Sequence, residues 1–171
     1  MQVYKFGGAS VKDAEGVKNL ASVLKQTGYK NTLIVVSAMG KTTNALEFVI
    51  HHYFQNRAEL QNALNHVIQY HRRILLDLFP NKTQPVFNKV HALFNELSAW
   101  LGTNKSPDYN FVYDQIIGFG ELISTTIISA YLNAIGIKNN WIDVRNCIKT
   151  DNYYRRAHVD WERTQKQIAS Q

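Results

Sequence analysis

The sequence is poor in cysteine, since Cys147 is the only one among 171 residues. A single thiol cannot close a disulfide within the chain, and neither a CxxC pair nor a cysteine and histidine pattern with metal-ligand spacing occurs. We therefore expect a reducing, cytoplasmic setting and no dedicated metal site. No charged residue pattern around Cys147 marks it for activation, so we expect it to pack as a small buried apolar side chain.

Long apolar runs and strong charge clusters are also missing. No stretch of about 18 apolar residues occurs, which argues against a membrane span. Met1 leads directly into a strand-like segment, so we expect no signal peptide. The net charge of +6 is spread along the chain rather than gathered on one stripe, which argues against nucleic-acid binding. With 45% hydrophobic and 19% charged residues, the composition is that of one globular domain.

Apolar spacing at the N-terminus predicts a βαβ unit. Residues 2–6 read as a short strand that ends at a pair of glycines, and residues 11–24 place apolar side chains at helical intervals. Residues 32–36 (TLIVV) form a nearly continuous apolar run, which is typical of a parallel strand covered on both faces. The sequence therefore predicts an α/β fold with a mostly parallel sheet.

The rest of the chain is predicted to be mainly helical, with one more strand. The predicted helices span residues 44–54, 58–79, 85–101, 109–134 and 160–169, and the third strand falls within 135–144. We interpret residues 44–101 as a helical insertion on the α/β frame. Gly118 and Gly120 lie inside a predicted helix, where each costs about 1 kcal/mol relative to alanine. Such glycines suggest close approach by a second backbone or a ligand.

The first candidate site is the segment KFGGAS, at the end of the first predicted strand. Lys5 offers a positive charge, and Gly7 and Gly8 let backbone amides approach an anion near a helix N-terminus, with Ser10 beside them. The spacing is neither GxxxxGK[ST] nor GxGxxG, so it is not a P-loop or a dinucleotide motif. An ordinary strand-to-helix turn explains the glycines equally well.

The second candidate site is the segment SAMGKTTN, at the end of the second predicted strand. Ser37 and Thr43 provide hydroxyls at the sheet edge where α/β proteins bind ligands. Capping of the next helix is an equally good explanation for one of them.

Two later segments add candidate residues. GFGE carries Glu121 on an apolar helix, with Ser124 one turn on, and a glutamate in such surroundings needs a partner. A substrate ammonium would suit it, but exposure to solvent or an internal basic partner would too. WIDVR carries Asp143 and Arg145, which could contact a ligand or simply pair with one another.

Taken in order, these segments resemble aspartate kinases of the amino-acid kinase family. KFGGAS matches the family's KFGG[TS]S with Ala9 as a small departure, SAMGKTTN is similar to its serine-rich turn, and GFGE, WIDVR, TDN and RRA are similar to its later segments. The resemblance covers nearly the whole chain. It implies a three-layer αβα sandwich of the carbamate kinase-like type, with residues 1–171 forming the N-terminal portion of the kinase domain.

The resemblance also implies an activity. Aspartate kinases use ATP and Mg²⁺ to phosphorylate the β-carboxylate of L-aspartate, giving 4-phospho-L-aspartate on the route to lysine, threonine and methionine. By this resemblance Lys5 is the catalytic residue. It binds phosphate together with Gly7, Gly8 and Ser10. Ser37, Thr43 and Glu121 match positions that hold aspartate, with Glu121 facing the α-ammonium.

One departure from the family concerns length. Family members continue into a GRGGSD segment, a nucleotide-binding half that helps to hold Mg²⁺, and regulatory ACT domains, none of which occurs in these 171 residues. We therefore expect these residues to be a fragment with little catalytic activity alone. We expect the full-length enzyme to be a homo-oligomer. The alternatives are a related kinase for acetylglutamate, glutamate, carbamate or UMP, and a non-catalytic module that binds aspartate or regulates a complete kinase.

Overall fold

The βαβ unit predicted from the sequence is present in the structure, a computed structural model that describes residues 1–170. Strands β1 (Gln2–Phe6) and β2 (Thr32–Val36) are parallel and directly paired. Helix α1 (Ala14–Thr27) connects them and follows a 3-10 helix, Gly8–Val11. Helix α1 begins later than the apolar spacing suggested, because the Asp13 carboxylate accepts the Gly16 amide hydrogen and caps it there.

The predicted helices follow in the expected order. They are α2 (Thr42–Gln55), α3 (Leu60–Leu78), α4 (Pro85–Thr103), α5 (Tyr109–Ile117), α6 (Phe119–Ala134) and α7 (Trp161–Ala169). Helices α2, α3 and α4 occupy the segment interpreted as a helical insertion. Their apolar faces join those of α1 and α6 in one continuous core.

The single helix predicted over residues 109–134 is instead two helices that meet at Gly118. A side chain at Gly120 would place its Cβ 2.9 Å from the Ala38 Cβ, whereas the space around Gly118 is open. The close approach predicted for these glycines is therefore confirmed at Gly120 and wrong at Gly118. The run Tyr109–Ala134 is long and apolar enough to span a membrane, but half of its most apolar window is buried, as expected of a core helix.

The third strand predicted within residues 135–144 is wrong for the described chain, whose sheet has two strands. Residues 138–143 run irregularly into a 3-10 helix, Val144–Asn146. Side-chain contacts hold this segment in place of a strand ladder. Ser129 donates a hydrogen bond to Asn139 Oδ1 (2.7 Å) and Trp141 Nε1 donates one to Thr125 Oγ1 (2.9 Å).

The expectation that β2 is covered on both faces is also wrong. Tyr4, Phe6 and Ile34 face the core, but Leu33 and Val35 on the opposite face are 44% and 45% exposed. Successive side chains of a strand point to opposite faces of the sheet, and both faces of β2 carry apolar residues. The sequence therefore cannot show that one of these faces is open to solvent.

The C-terminal segment folds back on the helices. Cys147 is buried, as predicted, and Thr150 and Val159 form an isolated antiparallel bridge. The Arg155 guanidinium lies over the ring of Tyr113, 4.4 Å from its centroid. A cation over an aromatic face contributes about 0.5–1 kcal/mol at an exposed site, so this contact helps to anchor the segment on α5.

Candidate active site

Two turns meet at the carboxyl edge of the sheet. The first turn (residues 7–12) follows β1 and the second turn (residues 37–41) follows β2. The Gly40 amide donates a hydrogen bond to the Gly8 carbonyl (2.9 Å), and the Ser37 amide donates one to the Phe6 carbonyl (3.1 Å). Parallel strands deliver their ends to one edge, and these hydrogen bonds join the two turns there.

The two glycines of the first turn serve different purposes. A Cβ on Gly8 would lie 2.5 Å from the Ala38 carbonyl oxygen and 3.0 Å from the Gly40 carbonyl oxygen, so Gly8 is required by contact with the second turn. The site above Gly7 is open apart from Lys5, whose Nζ is 3.4 Å from the corresponding Cβ position. The ammonium group of Lys5 thus stands over the backbone of the predicted phosphate turn.

Lys5 is exposed and forms no salt bridge within residues 1–170. Its charge is therefore not neutralised by the described chain and can face an anion. The Ser10 amide donates to the Gly7 carbonyl (2.9 Å), which closes the turn. That amide is consequently unavailable to a phosphate, while the exposed hydroxyl of Ser10 remains free to contact one.

Glu121 lies on the first turn of α6 and reaches the second turn. Its Oε1 accepts a hydrogen bond from the Ala38 amide at 3.2 Å, and the residue is half-buried. The partner that the sequence required is therefore a backbone amide rather than a lysine or arginine. Hydrogen bonding to one oxygen leaves the second carboxylate oxygen with no hydrogen-bond partner in the described residues.

The serine and threonine residues divide into structural and accessible groups. Ser124 is fully buried and donates to the Ser37 carbonyl at 2.8 Å, so it holds the second turn in place. Thr42 is buried as well and donates to the Met39 carbonyl at 2.6 Å. The side chains of Ser37 and Thr43 are half-buried and retain access to solvent. These two hydroxyls are thus the ones left for a ligand.

Asp143 and Arg145 pair with each other, which was one of the two alternatives from the sequence. The guanidinium of Arg145 donates to Asp143 Oδ2 at 2.7 Å, and this hydrogen bond lowers the pKa of the Asp143 carboxyl, against an opposing contribution from burial. Within residues 1–170 no hydrogen bond links this pair to either turn. Their placement supports a structural role.

Two residues that the sequence analysis missed contact the site from α3. The Tyr70 hydroxyl donates to the Lys12 carbonyl at the end of the first turn. His71 is completely buried, and its Nδ1 lies 2.8 Å from the Val67 carbonyl oxygen while its Nε2 lies 3.4 Å from Thr42 Oγ1. Burial lowers the pKa of His71 from 6.5 to about 4, so the ring is neutral at pH 7.

A sequence signal for His71 was available. It continues the three- and four-residue spacing of the apolar residues Leu64, Val67 and Ile74, which places it on the buried face of α3. Within residues 1–170 there is no group of three or more histidine, cysteine, aspartate or glutamate side chains that could hold a metal ion.

Comparison with known sequences gives consistent matches. The model of the amino acid kinase family matches residues 1–171. Aspartokinase 1 and aspartokinase 2 of Arabidopsis thaliana, both chloroplastic, are 32% and 33% identical over 148 residues, which is 82% of this chain. These residues are 25% and 26% of the two relatives. The chain therefore spans about a quarter of the length of these aspartokinases.

Solved structures share the fold. Escherichia coli aspartokinase III in complex with aspartate and ADP superimposes with a TM-score of 0.85 and 24% identity, covering 100% of this chain and 37% of that one. Clostridium acetobutylicum aspartate kinase gives a TM-score of 0.73 at 18% identity, covering 100% of this chain and 36% of its own. The α/β fold with its parallel sheet and helical insertion is thus the fold expected from the sequence. Given the family match over residues 1–171 and this shared fold, the chain belongs to the amino acid kinase family.

Proposed function

We propose that the protein is an aspartate kinase, which transfers the γ-phosphoryl group of ATP to the β-carboxylate of L-aspartate. The observation that carries the proposal is the joined pair of turns, with the unpaired Lys5 ammonium over Gly7 on one side and Glu121 anchored to Ala38 on the other. The product, 4-phospho-L-aspartate, leads to lysine, threonine and methionine. Because the chain spans about a quarter of its relatives, this activity is proposed for the whole protein.

The proposed chemistry requires little more than positioning and charge neutralisation. A β-carboxylate oxygen attacks the γ-phosphorus, and the bond from that phosphorus to the bridging oxygen of ADP breaks. The attacking carboxylate is ionised at neutral pH, so no general base is needed. Lys5 neutralises charge on the transferring group, while the exposed face of Gly7 and the Ser10 hydroxyl border the phosphates.

Recognition of aspartate falls to the second turn and α6. The carboxylate oxygen of Glu121 that does not accept the Ala38 hydrogen bond is suited to the α-ammonium of the substrate. Ser37 and Thr43 offer hydroxyls beside it. Mg²⁺ would be held mainly through the phosphates of ATP and by the nucleotide-binding half that the family resemblance implies. We also propose that the whole protein is cytoplasmic and forms a homo-oligomer.

Binding of aspartate to the purified chain tests this function. Calorimetry with L-aspartate is expected to give saturable heat. We expect the substitution Glu121→Gln to lower the affinity for aspartate at least tenfold. Glutamine retains an oxygen that accepts from the Ala38 amide but removes the charge that the ammonium needs. Glu162→Gln is the matched control, because it removes an exposed carboxylate whose ion pair with Lys166 lies on α7. Equal aspartate affinity in both variants would contradict the proposed role of Glu121.

Turnover is the second test. In the whole protein, assayed with MgATP and aspartate, we expect Lys5→Met to lower the rate of ADP release by about a hundredfold or more, as for loss of one charge-stabilising group. Lys30→Met, an exposed lysine before β2, should leave turnover unchanged. We expect the 171-residue chain alone to turn over poorly. Robust ADP release that does not depend on Lys5 would refute the proposed catalytic role.

A further inference from the structure

Tyr70, on α3, contacts both turns. Its hydroxyl donates to the Lys12 carbonyl at the end of the first turn. The same oxygen fills the space that a Cβ on Gly40 would occupy in the second turn. Gly40 has a φ of 54°, a left-handed conformation that favours glycine. The tyrosine therefore packs where the second turn has no side chain of its own.

Burial raises the pKa of the Tyr70 hydroxyl, and the negative charge of Asp13 raises it further. Both effects favour the protonated hydroxyl, which is the form that donates to the Lys12 carbonyl.

His71, the next residue, reaches the start of α2. Its Nδ1 must carry the hydrogen, because the Val67 carbonyl can only accept. In the neutral ring Nε2 is then an acceptor 3.4 Å from Thr42 Oγ1. Because the Thr42 hydroxyl donates its hydrogen to the Met39 carbonyl at 2.6 Å, His71 and Thr42 are in close packing contact rather than hydrogen-bonded. Tyr70 thus contacts the first and second turns, and its neighbour His71 contacts Thr42, the residue that follows the second turn.

From these contacts we infer that Tyr70, supported by His71, is a positioning residue that fixes the separation of the two turns. The inference rests on the proposed function, in which one turn binds phosphate and the other aspartate. The reacting oxygen and phosphorus must be held within a few tenths of an ångström of their productive distance. Helix α3 therefore has a role in the site although it contributes no group that touches a substrate.

Amide hydrogen exchange tests the positioning role without any ligand. In Tyr70→Phe we expect the Gly40 amide, which donates to Gly8, to exchange about twofold to tenfold faster, the change that one net hydrogen bond produces in an opening equilibrium. The amide of Leu20 in α1 should be unaffected. Tyr113→Phe is the matched control, since it removes a tyrosine hydrogen bond to Glu47 (3.0 Å) that lies away from both turns.

Calorimetry with L-aspartate supplies the functional measurement. Tyr70→Phe is expected to weaken binding about threefold to tenfold, whereas Tyr113→Phe leaves it within twofold. His71→Gln, whose amide can also donate and accept, should fall between them. A chain that binds no aspartate would contradict the aspartate site proposed for these residues, while the exchange measurement would still decide whether Tyr70 positions the turns.

The inference is overturned if Gly40 exchanges at the same rate in Tyr70→Phe and Tyr113→Phe. It is equally overturned if Gly40 and Leu20 accelerate together, because that pattern shows a general loss of stability. If Tyr70→Phe does not fold, the same comparison is made with His71→Gln, for which faster exchange at Gly40 than at Leu20 is the expected result and equal acceleration is the contrary one.

Discussion

The second turn (residues 37–41) and the irregular segment of residues 138–143 are both hydrogen-bonded to α6, but these hydrogen bonds differ in burial. The second turn accepts a hydrogen bond from the fully buried Ser124 and donates one to the half-buried Glu121, and backbone hydrogen bonds join it to the first turn. The irregular segment is attached by the side chains of Ser129 and Trp141 nearer the surface. Hydrogen bonds shielded from water are costly to break, so the turn has the geometry of a fixed site.

The largest expected difference concerns the buried histidine beneath the second turn. The pKa of His71 is about 4 in the folded protein and 6.5 when unfolded. Between these values the unfolded state binds more protons, so stability falls as the pH drops through this range. The loss reaches about 3 kcal/mol well below pH 4. Urea unfolding from pH 7 to pH 4 should show a steeper decline for the natural protein than for His71→Gln. Parallel pH profiles would contradict this expectation.

Steric contact between the two turns gives the next largest effect. We expect Gly8→Ala to destabilise the fold by about 2 kcal/mol, because the new Cβ would collide with the carbonyl oxygens of Ala38 and Gly40, which are backbone atoms and cannot move freely. Gly102→Ala in α4 meets open space and should be neutral or stabilising by up to about 1 kcal/mol. Chemical denaturation of both variants measures the difference, and similar midpoints would show that the turns can separate at little cost.

A pair of serines on α6 compares the two regions directly. Ser124→Ala should cost about 1–2 kcal/mol, because it leaves the carbonyl of Ser37 without its buried donor. Ser129→Ala removes the bond to Asn139 in the more exposed segment, and we expect a loss of about 0.5 kcal/mol. Thermal unfolding of the two variants tests the ranking. A larger loss for Ser129→Ala would reverse the comparison.

The smallest effect is expected at the ion pair that follows the irregular segment. Arg145→Gln should change the free energy of unfolding by less than about 1 kcal/mol, since the Arg145 guanidinium is largely exposed and well solvated. It should also leave aspartate affinity unchanged, because no hydrogen bond in the described residues joins this pair to the two turns. A strong loss of aspartate binding in this variant would show that Asp143 and Arg145 contribute to the site.

Local signals predicted the elements that local interactions stabilise. The βαβ unit followed from apolar spacing and a glycine turn, and helices α2, α3, α4 and α7 followed from the same periodicity. The third strand failed because a strand needs a neighbour for its backbone hydrogen bonds, and the sequence of residues 135–144 does not state whether one is present. The exposed face of β2 could not be foreseen because the apolar run TLIVV does not specify whether another layer of the molecule covers that face.

The candidate site was partly predictable. The sequence named Lys5, Gly8, Ser37 and Glu121 as candidate site residues, and the hydrogen bonds around the two turns bring their segments together. It could not show that Ser124 and Thr42 are buried supports rather than ligand contacts. Nor did it find Tyr70, whose contact with the first turn joins residues 58 positions apart.

Sequence by itself determined the periodic elements, the order of the motifs and the family, because each of these depends on residues close together in the chain. Tertiary structure alone decided which hydroxyls remain accessible, which glycine is required by contact, and that α3 joins the two turns. Those features depend on atoms brought together across long separations, where burial and hydrogen-bond geometry, rather than residue type, fix the role of each side chain.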